Sequence, residues 1–261
     1  MPGSEGTVSV MAEFNQKNQN TGFIVGMPPP EIMGGVLRDA GARAIVCSMD
    51  SRNGGVTVEE FRRFAVEQSR ARLFMPLPIP VVWYDFVVDH VQIAQAAAYG
   101  AAAITLHYSF VEDMEEAVIY TKEQGMEPIV FCESIKEAQM ALEIGAKTIC
   151  FDKMTEDQLL EARLALPSKE KDPELVMIAK LRPEADFSAY SEIDMAWTLR
   201  DHSFQSVWPS PDALYSQGMS DIYPTMLALR AKAGRKFISP RQFLMDRNKE
   251  GAQEFLGDIL Y

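Results

Sequence analysis

The sequence predicts an α/β protein, a (β/α)8 TIM barrel in a single domain with a C-terminal extension. Two observations carry this. Eight short runs rich in Val and Ile, several of them apolar on both faces, alternate with eight longer amphipathic segments. The chain has 261 residues, and a barrel of this kind takes about 250. An open doubly wound sheet is the alternative that strand count alone leaves standing. The barrel is assigned to residues 1–236 and the extension to 237–261.

The strand candidates are 8–12, 44–49, 79–84, 102–106, 128–132, 148–151, 175–179 and 205–208. Fully buried parallel strands read as continuous apolar runs because helices cover their outer face. The helix candidates are 30–40, 57–68, 91–99, 114–124, 135–144, 155–164, 190–199 and 220–233. Four of these patterns run into a glycine just before the next strand, at Gly41, Gly100, Gly125 and Gly145. Glycine there supplies the left-handed turn that stops a helix. Thr155-Glu156-Asp157 opens its helix with a capping hydroxyl and an acidic first turn. Pro28-Pro29-Pro30 makes a stiff entry to the first helix.

Composition narrows function. A net charge of −12 argues against a nucleic-acid surface and against docking on an anionic membrane. No apolar stretch reaches the roughly 20 residues that span a bilayer, so no membrane insertion is expected. The three cysteines, Cys47, Cys132 and Cys150, lie in apolar runs and read as reduced core thiols. No His, Cys or Asp group has metal-ligand spacing, so neither a metal nor a cofactor is expected. Met1 to Gly6 carry neither a basic nor an apolar region, so a secretory signal is not expected there. Cytoplasm or plastid stroma is the expected compartment, any transit peptide lying outside this sequence.

In such barrels the chemistry sits where strands end. The polar strand-end residues are Glu13, Asn15, Lys17, Ser48, Asp50, Tyr84, Asp85, His107, Glu133, Asp152, Lys153, Lys180 and Ser210. His107 reads as a hydrogen-bonded structural histidine before an acid or base. Asp85 and Asp152 would form a carboxylate pair at the mouth if the geometry allows. Lys17 reads as a solvated loop lysine. For Lys180 a functional cation and a surface ion pair both stand open.

Two segments resemble a known family. Residues 11–22 carry Ala12-Glu13 and end in Thr21-Gly22. Residues 81–93 carry Asp85-Phe86-Val87-Val88-Asp89 followed by Gln92-Ile93. Both are similar to the first and third barrel strands of indole-3-glycerol phosphate synthase. The resemblance is best from Met11 to Lys153 and includes Asp50 through Gly54-Gly55. It implies closure of an indole ring on an anilino sugar phosphate, with loss of carbon dioxide and water, worked by two lysines and by glutamates.

This chain departs from that pattern where the chemistry lies. Asn15 and Tyr84 stand where the resemblance puts the two lysines. Phe131 stands at the fifth-strand glutamate, Asp152 near the sixth-strand asparagine, and Lys180 at the seventh-strand glutamate. Pro211-Asp212 replaces the phosphate-binding pair of the eighth strand. Glu13 is retained.

The sequence therefore reads as a non-catalytic homologue serving as a binding or structural subunit of a larger assembly. Two alternatives are a lyase or isomerase of changed specificity, and an active synthase of tryptophan biosynthesis, a carbon–carbon lyase. An active site would use Glu13, Tyr84, Asp85, Asp152 and Lys180, with Lys17 or Lys180 as substitute cation and a small phosphorylated compound as ligand. Phe255, Leu256, Ile259, Leu260 and Tyr261 place five large apolar side chains at the very end of the chain. That tail is expected to dock on this barrel, or on a protein partner or a second copy.

Overall fold

The computed structural model describes residues 8–18, 22–23, 27–52, 54–73, 75–168, 170–182, 189–215 and 222–230. The expected C-terminal extension, 237–261, and its docking lie outside the described residues.

Eight parallel strands close into a barrel in sequential order. They are β1 (Ser9–Phe14), β2 (Ala44–Ser48), β3 (Val81–Tyr84), β4 (Ala103–His107), β5 (Glu127–Cys132), β6 (Thr148–Phe151), β7 (Val176–Lys180) and β8 (Ser206–Trp208). β8 returns to β1 through Ser206 opposite Ser9 and Val207 opposite Val10. An antiparallel pair of two-residue strands, Lys17–Asn18 with Gly22–Phe23, follows β1.

The outer ring is α1 (Pro30–Asp39), α2 (Val58–Arg70), α3 (His90–Ala98), α4 (Met114–Glu123), α5 (Ile135–Glu143), α6 (Glu156–Ala165), α7 (Ala189–Asp201), the short α8 (Pro211–Tyr215) and α9 (Ile222–Arg230). Closure excludes the open sheet. The expected glycine stops hold: Gly41 and Gly100 both sit at φ +90°, where a β-carbon would be strained.

Period two along each strand divides the core in two. Met11, Ala44, Val46, Val82, Ala103, Ile129, Phe131, Cys150, Ile178 and Trp208 pack together inside the barrel. The alternate positions, among them Ala12, Phe14, Ile45, Trp83, Ile104, Leu106 and Phe151, pack with the helices. Both strand faces are therefore buried, which is why the runs carry no polar alternation. β1 extends past the expected apolar run to Phe14, because Glu13 faces the barrel interior and is only 4% exposed.

Helix caps fix the loops at the barrel mouth. Thr57 and Glu60 form a capping box on α2, and Asp89 and Gln92 form one on α3. Gln92 also donates from Nε2 to the Phe86 carbonyl and accepts from the Val88 N–H. The Asp-x-x-Gln of the third-strand motif is therefore scaffold. It holds the β3–α3 loop whether or not the barrel is catalytic. The short helix α8 was not among the expected elements. Its signal was present: Ser210 accepts from the Ala213 N–H at 3.2 Å, and Pro211 sits at the first helical position.

Candidate functional site

A cavity of about 470 Å³ opens at the C-terminal end of the strands. Glu13, Asn15, Tyr84, Asp85, His107, Asp152, Lys180 and Ser210 all line it. The sequence-derived candidates thus share one site, as strand order requires. A larger groove between α1 and α2 is an outer surface laced by Arg63–Glu31 and Arg38–Glu67 ion pairs.

The floor of the mouth is a caged ion pair. Lys180, at the end of β7, brings Nζ to 3.3 Å from Glu13 Oε2. The same Oε2 accepts from Trp208 Nε1 at 2.7 Å. Nζ lies 4.0 Å from the centre of the Tyr84 ring and 4.1 Å from that of Trp208. Phe131 backs them, its ring parallel to Tyr84 within 8°. Lys180 and Glu13 side chains are only 12% and 5% exposed. Burial opposes the ammonium charge, but the Glu13 carboxylate and the Tyr84 oxygen outweigh it and hold Lys180 well above the ordinary lysine range. Burial pushes the Tyr84 phenol up. The Tyr215 hydroxyl donates to the Glu13 carbonyl at 2.7 Å and fixes the strand end.

These contacts correct three expectations. Lys180 is no surface pair; it is buried because β7 turns it inward toward Glu13 and the Tyr84 and Trp208 rings. His107 is not a hydrogen-bonded histidine: its Nε2 is buried with no partner, and its ring lies 4.1 Å from that of Phe131. Burial lowers its pKa to about 4, so the imidazole is neutral at pH 7. Asp85 and Asp152 form no pair. Asp152 is gripped by Arg182 through bonds of 2.9 and 2.8 Å. Burial works against its charge, yet the guanidinium keeps its carboxyl below the usual range. Asp85 accepts from the Phe86 N–H, and burial raises its pKa, helped by Asp50.

Lys17 also differs from expectation. It is half-buried and donates to the Ser51 carbonyl, because its aliphatic stem lies over Gly55. Lys153 pairs with Glu133. Asn15 is 8% exposed, and its Oδ1 has no partner.

Two participants escaped the sequence reading, and a third, Phe131, was marked only by the resemblance. Trp208 looked like a core residue, and only its inward parity at the strand end marks it. Glu192 looked like an ordinary residue of α7. It is buried and accepts from both the N–H and the hydroxyl of Ser210. Burial raises it to about 7. Ser210 stands in the loop after β8, a region where barrels commonly hold phosphate, and here its donors serve a carboxylate of the same chain.

Comparison with known proteins agrees with the fold. The profile of the family described as indole-3-glycerol phosphate synthase matches residues 5–153. The indole-3-glycerol phosphate synthase of Methanothermobacter marburgensis is 30% identical over 142 residues, 54% of this chain and 47% of that protein. That of Carboxydothermus hydrogenoformans is 28% identical over 193 residues, 71% of this chain and 70% of that protein. The chain thus matches about half the length of some of these relatives and more of others. Among solved structures, one described as native KDPGal superposes with a TM-score of 0.58 at 15% identity, covering 90% of this chain and 98% of that one. At that identity the likeness shows the fold alone. The chain belongs to the indole-3-glycerol phosphate synthase family.

Proposed function

We propose that this member of the family does not close the indole ring and serves instead as a binding or structural barrel within a larger assembly. The observation that carries the reading is the caged Lys180. Ring closure in the family, by the resemblance above, needs lysines at the positions of Asn15 and Tyr84. The cation nearest that centre is Lys180, and it is spent on Glu13, the retained glutamate. Its raised pKa makes it a poor proton donor.

The rest of the mouth supports the same reading. The substrate the resemblance implies carries a carboxylate and a phosphate. Among the described residues six carboxylates line the cavity against four cations. Each of those cations already has an acceptor within the chain: Glu13 for Lys180, Asp152 for Arg182, Glu133 for Lys153 and the Ser51 carbonyl for Lys17. Loss of one general acid typically costs ~10²–10⁴ in rate, and here both lysine positions are changed.

A steady-state assay with the family's anilino sugar phosphate tests the proposal. No turnover above background is expected, and Asn15→Lys with Tyr84→Lys should restore little while Lys180 holds Glu13. Turnover at an ordinary enzyme rate would establish the second reading, a working synthase, which the names of the relatives favour.

A further inference from the structure

We infer that the barrel mouth binds a small organic cation that joins an ammonium group, with its N–H donors, to a planar ring, a ligand of opposite charge to the anion implied by the family resemblance. The inference extends the reading above, because it takes the mouth to be free of that anion.

Two independent observations point to it. The first is Asn15, more than nine-tenths buried against the cavity, whose Oδ1 has no partner. A buried acceptor left unpaired costs about 1–3 kcal/mol, and a ligand N–H removes that cost. The second is Asp85. Asp85 lines the same cavity and pairs with no cation among the described residues; its carboxylate accepts from the Phe86 N–H and has the Trp83 indole beside it, both neutral donors. Burial disfavours its charge, and a ligand ammonium would restore it.

The surroundings agree in sign and shape. His107 is neutral and adds no positive charge. Phe86, Phe110 and His107 form a tilted aromatic wall, with ring centres 4.9 to 6.2 Å apart. Such faces attract a cation and accept a planar ring. The chain's net charge of −12 also favours a cation over an anion in a cleft.

The test uses the full-length protein and two probes of equal ring and opposite charge, phenethylammonium and phenylacetate, titrated by calorimetry or by ligand-observed NMR. Phenethylammonium should bind saturably and roughly tenfold or more tighter than phenylacetate, and added salt should weaken it. Asp85→Asn and Asn15→Leu should each weaken it, with folding checked by circular dichroism. If either variant fails to fold, the comparison of the two probes on the unaltered protein still decides. Equal binding of both probes, tighter phenylacetate, or no saturable phenethylammonium binding overturns the inference. Turnover of the anilino sugar phosphate is a separate measurement, so failure of the proposed function and failure of this inference are told apart.

Discussion

Replacing Lys180 by methionine isolates the contact on which the functional reading turns. The substitution keeps an unbranched apolar stem and removes the ammonium from between Glu13, Tyr84 and Trp208. Glu13 is then left with Trp208 Nε1 as its side-chain hydrogen-bond donor and no cation, at 5% side-chain exposure. Breaking a buried pair by removing one partner costs about 3–5 kcal/mol. Loss of the two close ring contacts adds to this by about 0.5–2 kcal/mol each. A second change, Glu13→Gln, removes the stranded charge and keeps an acceptor for Trp208 Nε1.

Urea unfolding at pH 7 should therefore show Lys180→Met strongly destabilised and the double variant recovering a large part of the loss. The double-mutant cycle should give a coupling of about 2 kcal/mol or more. If Lys180→Met costs under about 1 kcal/mol, the ammonium is not committed to Glu13. If the two losses simply add, the pair is not coupled. Either result would return Lys180 to the list of cations able to serve a ligand or a reaction.

Gly54 lies so near Ser48 that a β-carbon there would stand 2.1 Å from its Oγ and 2.3 Å from its backbone oxygen; Gly54→Ala should cost about 1–3 kcal/mol in urea unfolding. Cys47, Cys132 and Cys150 are all buried, and burial raises each thiol above its ordinary range, so a thiol reagent should react with the native protein only as fast as it unfolds. Glu192 and His107 should give opposite pH dependences. Glu192 is raised from 4.5 to about 7, so the folded state holds more protons and stability falls as pH rises through that window, by about 3 kcal/mol in all. His107 is lowered from 6.5 to about 4, so the unfolded state holds more protons and stability rises with pH there by a similar amount. The two slopes oppose each other over their shared range, and Glu192→Gln should unmask the His107 slope in unfolding curves between about pH 4.5 and 6.5; an unchanged profile would show that Glu192 is not held neutral there.

The barrel was legible because its signals are local and repeated. Each strand is an apolar run buried on both faces, and each expected glycine stop returns in the structure at positive φ. The location of the site followed from strand ends. Its electrostatics did not, because they depend on which side chains meet across the barrel. Lys180 and Glu13 are separated by 167 positions, and Trp208 and Glu13 by 195. Nothing in the sequence near any of them announces the contact. Trp208 was hidden for a related reason: an aromatic residue at the end of a buried strand looks the same whether it fills the core or walls the mouth.

The same distinction separates the scaffold part of a family motif from the part that faces the site. Asp89 and Gln92 cap α3 and tie down the loop after β3, so a barrel with no reaction to perform still needs them. Tyr84 is two residues before Phe86 on that same segment, yet its side chain faces the cage. Changing it from the lysine implied by the resemblance leaves the loop's hydrogen bonds untouched. On the resemblance, the cation beside Glu13 stands not at the end of β3 but at the end of β7, where Lys180 Nζ lies 3.3 Å from Glu13 Oε2. A stretch of sequence can therefore keep its scaffold residues while an inward-facing position among them, here Tyr84, differs from the pattern the resemblance implies.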